Sequence, residues 1–183
     1  MINIFVTIAQ RGLKYIFMPL LVIVSIWSLY FLVYGNFHKV DKDVYRSAQL
    51  FTFNMPYYLE EYKIKSILNL RGKEDKSWYK DEIIIANEYN ITHINYKIGD
   101  RGILPLEKMD KIVHIIKNAP KPLLVHCKAG ADRASLASAL YVYDKTKDEN
   151  PEKGFSLVYG HFPWLGSKTV AMDESFEIYK EAR

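Results

Sequence analysis

The sequence predicts a three-layer α/β domain, a central mostly parallel sheet flanked by helices, preceded by an N-terminal transmembrane helix. Three observations lead there. Short apolar runs alternate with amphipathic helical segments from Val44 onward, the pattern of a sheet with helices on both faces. Leu123-Leu124-Val125-His126-Cys127-Lys128-Ala129-Gly130-Ala131-Asp132-Arg133-Ala134-Ser135 reads as a buried strand, a tight loop and the start of an Ala- and Leu-rich helix. Tyr15 to Tyr34 runs without a charge, long enough as a helix to cross a hydrocarbon core of about 30 Å.

Composition narrows the function classes. The chain has 183 residues, 49% of them hydrophobic and 25% charged, which suits one domain and an appendage. The formal net charge is +4, from 25 basic and 21 acidic residues. Arg11 and Lys14 supply part of that excess, and the remaining surface is nearly balanced, so no nucleic-acid footprint is expected. The single cysteine, Cys127, excludes an internal disulfide and an internal resolving cysteine. No Cys/His cluster has zinc-ligand spacing, so neither a metal nor a cofactor is expected.

Taken in order, residues 1–14 read as a slightly basic tail and 15–35 as the anchor. Trp27, Tyr30 and Tyr34 lie in its second half, where aromatics favour a membrane interface. A secretory signal is the alternative, but Tyr34-Gly35-Asn36-Phe37 offers no small-residue cleavage site. Arg11 and Lys14 against Lys39, Lys42 and Arg46 leave orientation nearly balanced, with a lean to a cytoplasmic tail and a periplasmic domain on a bacterial inner membrane. Residues 36–43 read as a charged linker, and 44–183 as the folded domain.

Asn54-Met55-Pro56 predicts a capped helix start running to about Lys63. Lys65–Leu70 is a buried strand ending at Arg71-Gly72. Lys73–Lys80 is a charged loop, and the helix after it runs to about Tyr89. Ile91–Ile98 is the next strand. Leu106, Met109, Ile112, Val113 and Ile116 share one face of a helix that begins after Pro105 and ends at Ala119-Pro120. The helix after the Cys127 loop runs to about Lys145. Pro151–Tyr159 is expected to be helical, and a last helix covers Ala171–Glu181.

The Cys127 loop carries the chemistry. A helix N-terminus offers unpaired N–H groups and a positive dipole end, which suits phosphate and favours a thiolate at Cys127. Arg133 can grip two phosphate oxygens with its planar fork. Gly130 permits the curl. This His-Cys-x5-Arg pattern resembles the signature of cysteine-dependent phosphatases, in the dual-specificity branch of the protein tyrosine phosphatase superfamily and its bacterial membrane-anchored members. Val44-Tyr45-Arg46-Ser47-Ala48-Gln49-Leu50 resembles the opening segment of such enzymes, and the likeness runs to about Asp144.

That resemblance implies a phosphoric monoester hydrolase acting through a phosphocysteine. Cys127 would be the nucleophile, and Arg133 would hold phosphate with Lys128, Ala129, Gly130, Ala131 and Asp132. His126 would tune the thiol. Asp100, between Gly99 and Gly102 on the loop after the Ile94–Ile98 strand, would be the general acid, with Asp132 as the rival. Arg46 is read as a buried ion-pair partner or a support of the loop, with the structural role favoured. The family often places Ser or Thr directly after the arginine; here Ala134 stands there and Ser135 is one step late, which implies slower breakdown of the phosphoenzyme. A Cys–His protease dyad lacks a suitable partner. Expected partners are a phosphotyrosine-type protein or a lipid phosphate, with the membrane engaged through 15–34. Cys127-Lys128-Ala129-Gly130 resembles the loop start of lipid phosphatases. An inactive phosphate-binding module on a membrane is the reading from another class.

Overall fold

The computed structural model describes residues 2–147, 155–162 and 168–183. The chain divides into two compact units, Met1–Tyr34 and Gly35–Arg183.

The first unit is one helix, α1, Ile2–Tyr34. It begins well before Tyr15, so residues 2–14, read as a basic tail, are helical; Pro19 lies within it. Lys14–Phe31 is long and apolar enough to cross a membrane.

The second unit is built on a five-stranded mixed sheet in the order β1-β2-β5-β3-β4. The strands are β1 (His38–Asp41), β2 (Val44–Ser47), β3 (Ser66–Asn69), β4 (Thr92–Asn95) and β5 (Leu123–His126). Strands β2, β5, β3 and β4 run parallel, and β1 is an antiparallel edge. The helices are α2 (Met55–Glu61), α3 (Ser77–Glu88), α4 (Leu106–Asn118), α5 (Arg133–Thr146) and α6 (Val170–Glu181), with a 3₁₀ turn at Leu157–Tyr159.

Side chains alternate across each strand, which produces two cores. Ile67 and Leu124 meet Met55, Leu59 and Ile85 from α2 and α3. Leu68, Leu123 and Val125 meet Met109, Ile112, Leu136, Leu140, Met172 and Phe176 from α4, α5 and α6. The expected three layers are therefore present. The central strand β5 is buried at every position, and its carboxyl end delivers Cys127.

Several expectations need correction. Residues 36–43 are not a linker. They carry β1, and Phe37 stacks on Tyr58 at a ring separation of 4.3 Å. The alternating charges Lys39, Asp41, Lys42 and Asp43 suggested solvation, but an edge strand faces water on one side. Asn54 does not cap α2 with its side chain; its Oδ1 accepts the Phe51 N–H at 2.7 Å. Helix α3 starts at Ser77, inside the stretch read as a loop, and β4 is shorter than Ile91–Ile98. Of the helix expected over Pro151–Tyr159, residues 151–154 lie outside the described residues, and Leu157–Tyr159 is a 3₁₀ turn.

Candidate active site

The loop from β5 to α5 is shaped from outside by its carbonyls. Leu70 N donates to His126 O at 3.0 Å, and Gln49 N to Lys128 O at 3.2 Å. Asn36 Nδ2 donates to Ala129 O at 3.0 Å. Arg46 Nη2 donates to Gly130 O at 2.5 Å. Ser135 Oγ donates to Ala131 O, and Leu136 N to Asp132 O at 2.9 Å. Each trans peptide plane sets its N–H opposite its C=O. Carbonyls 128–132 all held on the outside therefore turn the N–H groups of 129–133 toward the concave side. Such a run of converging amides at a helix N-terminus is an anion nest.

Gly130 makes that curl possible. Its φ is +72°, and a Cβ there would lie 2.7 Å from Ala48 N and 2.8 Å from Ser47 C. Cys127 is buried at the start of the loop. Arg133, at its end, has a side chain 13% exposed, with Nη2 3.9 Å from Asp100 Oδ2. The structure thus brings Asp100 to Arg133, and about half of the Asp100 side chain stays open to solvent (48%). Lys128 and Ala129 are exposed at the rim.

Asp132, the rival for acid, is differently engaged. Its Oδ1 lies 2.8 Å from Nδ1 of the buried His161, whose Nε2 lies 2.9 Å from Asp173 Oδ2 on α6. Ser135 has a single hydroxyl proton, and that proton goes to Ala131 O; its oxygen accepts from Arg46 at 2.6 Å. Arg46 is 1% exposed and lies 4.2 Å over the Tyr159 ring. Burial lowers its pKa to about 10, against the pull of Cys127, Tyr159 and Asp132, and leaves it charged at neutral pH. Arg46 is therefore a buried cation that props the loop from behind.

Beneath the loop, His126 Nε2 lies 3.2 Å from Glu82 Oε1, and His93 Nε2 lies 2.7 Å from the same oxygen. Gln49 Nε2 donates to Glu82 Oε2, and Arg71 Nη1 donates to Gln49 Oε1 at 2.8 Å. Burial works to raise the Glu82 pKa, but the neighbouring His126 ring and the hydrogen bonds from His93 and Gln49 outweigh it and lower the pKa, so Glu82 is a buried carboxylate. Arg71 stacks on Trp78 at 3.4 Å. The parallel register pairs Asn69 with His126, so Arg71 follows β3 alongside the loop.

Sequence reasoning missed Asn36, Gln49, Glu82, His93 and His161. Glu82 left a signal: with Tyr79, Ile85 and Ala86 it falls on the buried stripe of α3, and a lone charge on an apolar stripe needs a partner. The others serve the loop across 29 to 93 residues of sequence, a proximity that no local pattern encodes.

Residues 31–139 match the model of a family described as the tyrosine phosphatase family. No curated protein matches the chain. Among solved structures, the chain is similar to the core catalytic domain of the PP-IP phosphatase SIW14 from S. cerevisiae, solved with citrate. The TM-score is 0.64 at 20% identity, covering 79% of this chain and 85% of that one. It is similar to TpbA of P. aeruginosa, with a TM-score of 0.61 at 17% identity, covering 80% and 89%. A cysteine-to-serine variant of TpbA, solved with phosphotyrosine, gives 0.61 at 16%, covering 81% and 90%. At these identities the likeness is one of fold.

Proposed function

The chain belongs to the tyrosine phosphatase family, and from that premise we propose a membrane-anchored, dual-specificity-type enzyme. It would hydrolyse phosphate monoesters, first among them phosphotyrosine-type protein substrates, with Cys127, Arg133 and Asp100 as its catalytic residues. The observation that carries this reading is the Cys127–Arg133 loop, in which the carbonyls of residues 128–132 are each hydrogen-bonded away from the concave side.

In the first step Cys127 sulfur attacks phosphorus. The S–P bond forms, the P–O bond to the leaving group breaks, and the leaving oxygen takes its proton from Asp100. The amides of 129–133 and the Arg133 fork hold the three equatorial oxygens as charge spreads over them. In the second step water attacks the phosphocysteine, Asp100 takes the water's proton, and thiolate and inorganic phosphate are released. General acid catalysis supplies about 10²–10⁴ in rate. D100N should lose that much kcat on poor leaving groups and far less on good ones. His126, held on Glu82, fixes the start of the loop; Ser135 and Arg46 fix its back. Helix α1 supplies the anchor, and the weak charge asymmetry around it favours a periplasmic catalytic unit.

A lipid phosphate is the second reading, and one observation favours it. Asn36, two residues along the chain from the apolar α1, donates directly to the catalytic loop. An anchored α1 would therefore tether the loop to a bilayer on a very short leash.

The test uses the full chain in detergent, with an aryl phosphate, a phosphotyrosine peptide and lipid-phosphate micelles, beside C127S. Turnover by the wild type and none by C127S supports the enzyme, and the preferred ester selects the substrate class. Phosphate binding without turnover in either protein sinks the enzyme reading in favour of the binding module.

A further inference from the structure

Asp132 places a carboxylate one residue before Arg133, in a loop shaped to hold an anion. Left alone, its charge would repel the phosphate that the loop gathers. The structure gives that carboxylate a partner. His161 is 2% exposed, with Nδ1 2.8 Å from Asp132 Oδ1 and Nε2 2.9 Å from Asp173 Oδ2. Carboxylates accept hydrogen bonds and do not donate them, so both ring nitrogens must carry a proton for both bonds to form. His161 is then an imidazolium. Burial opposes that charge, but the two carboxylates outweigh it and raise its pKa above the ordinary histidine value.

Its backbone and the face of its ring have partners as well. His161 N donates to Ser156 O at 3.2 Å, and the Phe155 ring packs at 5.1 Å. Phe155 in turn meets Phe176 of α6 at 5.8 Å. The segment 155–162 and α6 thus fix the ring in front of the loop's penultimate residue.

Building on the phosphatase reading, we propose that His161 is a positioning residue of the phosphate loop: its imidazolium neutralises and holds the Asp132 carboxylate, with Asp173 anchoring the ring from α6, so that dianionic phosphate esters bind. His161 touches no reacting atom and acts only through Asp132. Its effect therefore falls on substrate binding more than on turnover.

The experiment compares full-length wild type, H161Q and D132N/H161Q with an aryl phosphate, and with inorganic phosphate and vanadate as inhibitors. In H161Q the uncompensated carboxylate should raise KM on the order of tenfold, as expected for one unit charge near the bound anion. Inhibition by phosphate and vanadate should weaken by a similar factor, with kcat changed much less. Removing the stranded charge in D132N/H161Q should bring KM back toward wild type, a rescue that a purely structural role for His161 would not give. An unchanged KM in H161Q, or no recovery in D132N/H161Q, overturns the proposal. Should H161Q not fold, D132N and D132N/H161Q decide: equal KM values support action through Asp132, and unequal ones overturn it. Loss of all turnover in wild type and variants alike would instead count against the phosphatase reading, and binding of phosphate and vanadate would still report on His161.

Discussion

Replacing Gly130 by Ala asks directly whether the outward-turned carbonyls make the site. At φ +72° an L side chain costs about 1–2 kcal/mol. The new Cβ would also stand 2.7 Å from Ala48 N, 2.8 Å from Ser47 C and 2.9 Å from Asn36 Nδ2. None of these can step aside freely. Ala48 N is bonded to Gly35 O at 2.7 Å, and Asn36 Nδ2 bonds both Ala129 O and Tyr159 O. Overpacking against such neighbours costs about 1–3 kcal/mol, so the total loss should be about 3 kcal/mol. For a unit of this size that lowers the melting temperature by about 6–12 °C. Relief of the contact moves the loop, and a displacement of about 1 Å at a positioned site costs on the order of 10² in rate. Urea unfolding and aryl-phosphate kinetics on G130A measure both quantities. Gly102→Ala is the control, because nothing lies within 4 Å of a Cβ there. A G130A protein as stable and active as the wild type would refute the reasoning.

Three further outcomes follow from the same geometry. E82Q should cost about 1–3 kcal/mol at neutral pH, because it puts an NH2 where one of two buried oxygens now accepts from His93 or Gln49. The Glu82 pKa is lowered, so its contribution is full above the ordinary carboxylate value, shrinks as pH falls below it and vanishes at the depressed value; unfolding curves of wild type and E82Q should converge as pH falls. Wild type should show a pre-steady-state burst that A134S abolishes, since the Ser135 hydroxyl proton is already committed to Ala131 O; absence of a burst in wild type would contradict this. Among chains lacking α1, one starting at Gly35 should be more active than one starting at residue 38. The shorter chain lacks Asn36 and leaves Ala129 O without that donor. Equal kcat/KM for the two would show that Asn36 does not hold the loop.

The layers of the fold were legible because periodicity is local. Met109, Ile112, Val113 and Ile116 announce a buried helix face, and Leu123–Val125 announces a buried strand. The Cys127–Arg133 loop was legible for a related reason: cysteine, glycine and arginine follow one another within a single turn of chain. Its scaffold was not. Asn36 lies just beyond an apolar helix and looked like the start of a linker. Gln49 and His93 carry no pattern of their own. His161 lies in a short segment that no periodicity marks. These residues gain meaning only when the sheet sets β2, β3 and β5 side by side and returns α6 to the loop. The 36–43 stretch misled because polar alternation is shared by linkers and edge strands, and only the pairing of His38 with Arg46 tells them apart.

The most direct test of the central claim is to trap the phosphoenzyme. Full-length protein turning over an aryl phosphate is quenched in acid, digested, and its Cys127 peptide weighed. The account predicts one phosphoryl group on Cys127 in the wild type, with neither label nor turnover in C127S. Turnover that leaves Cys127 unlabelled and survives in C127S would contradict it.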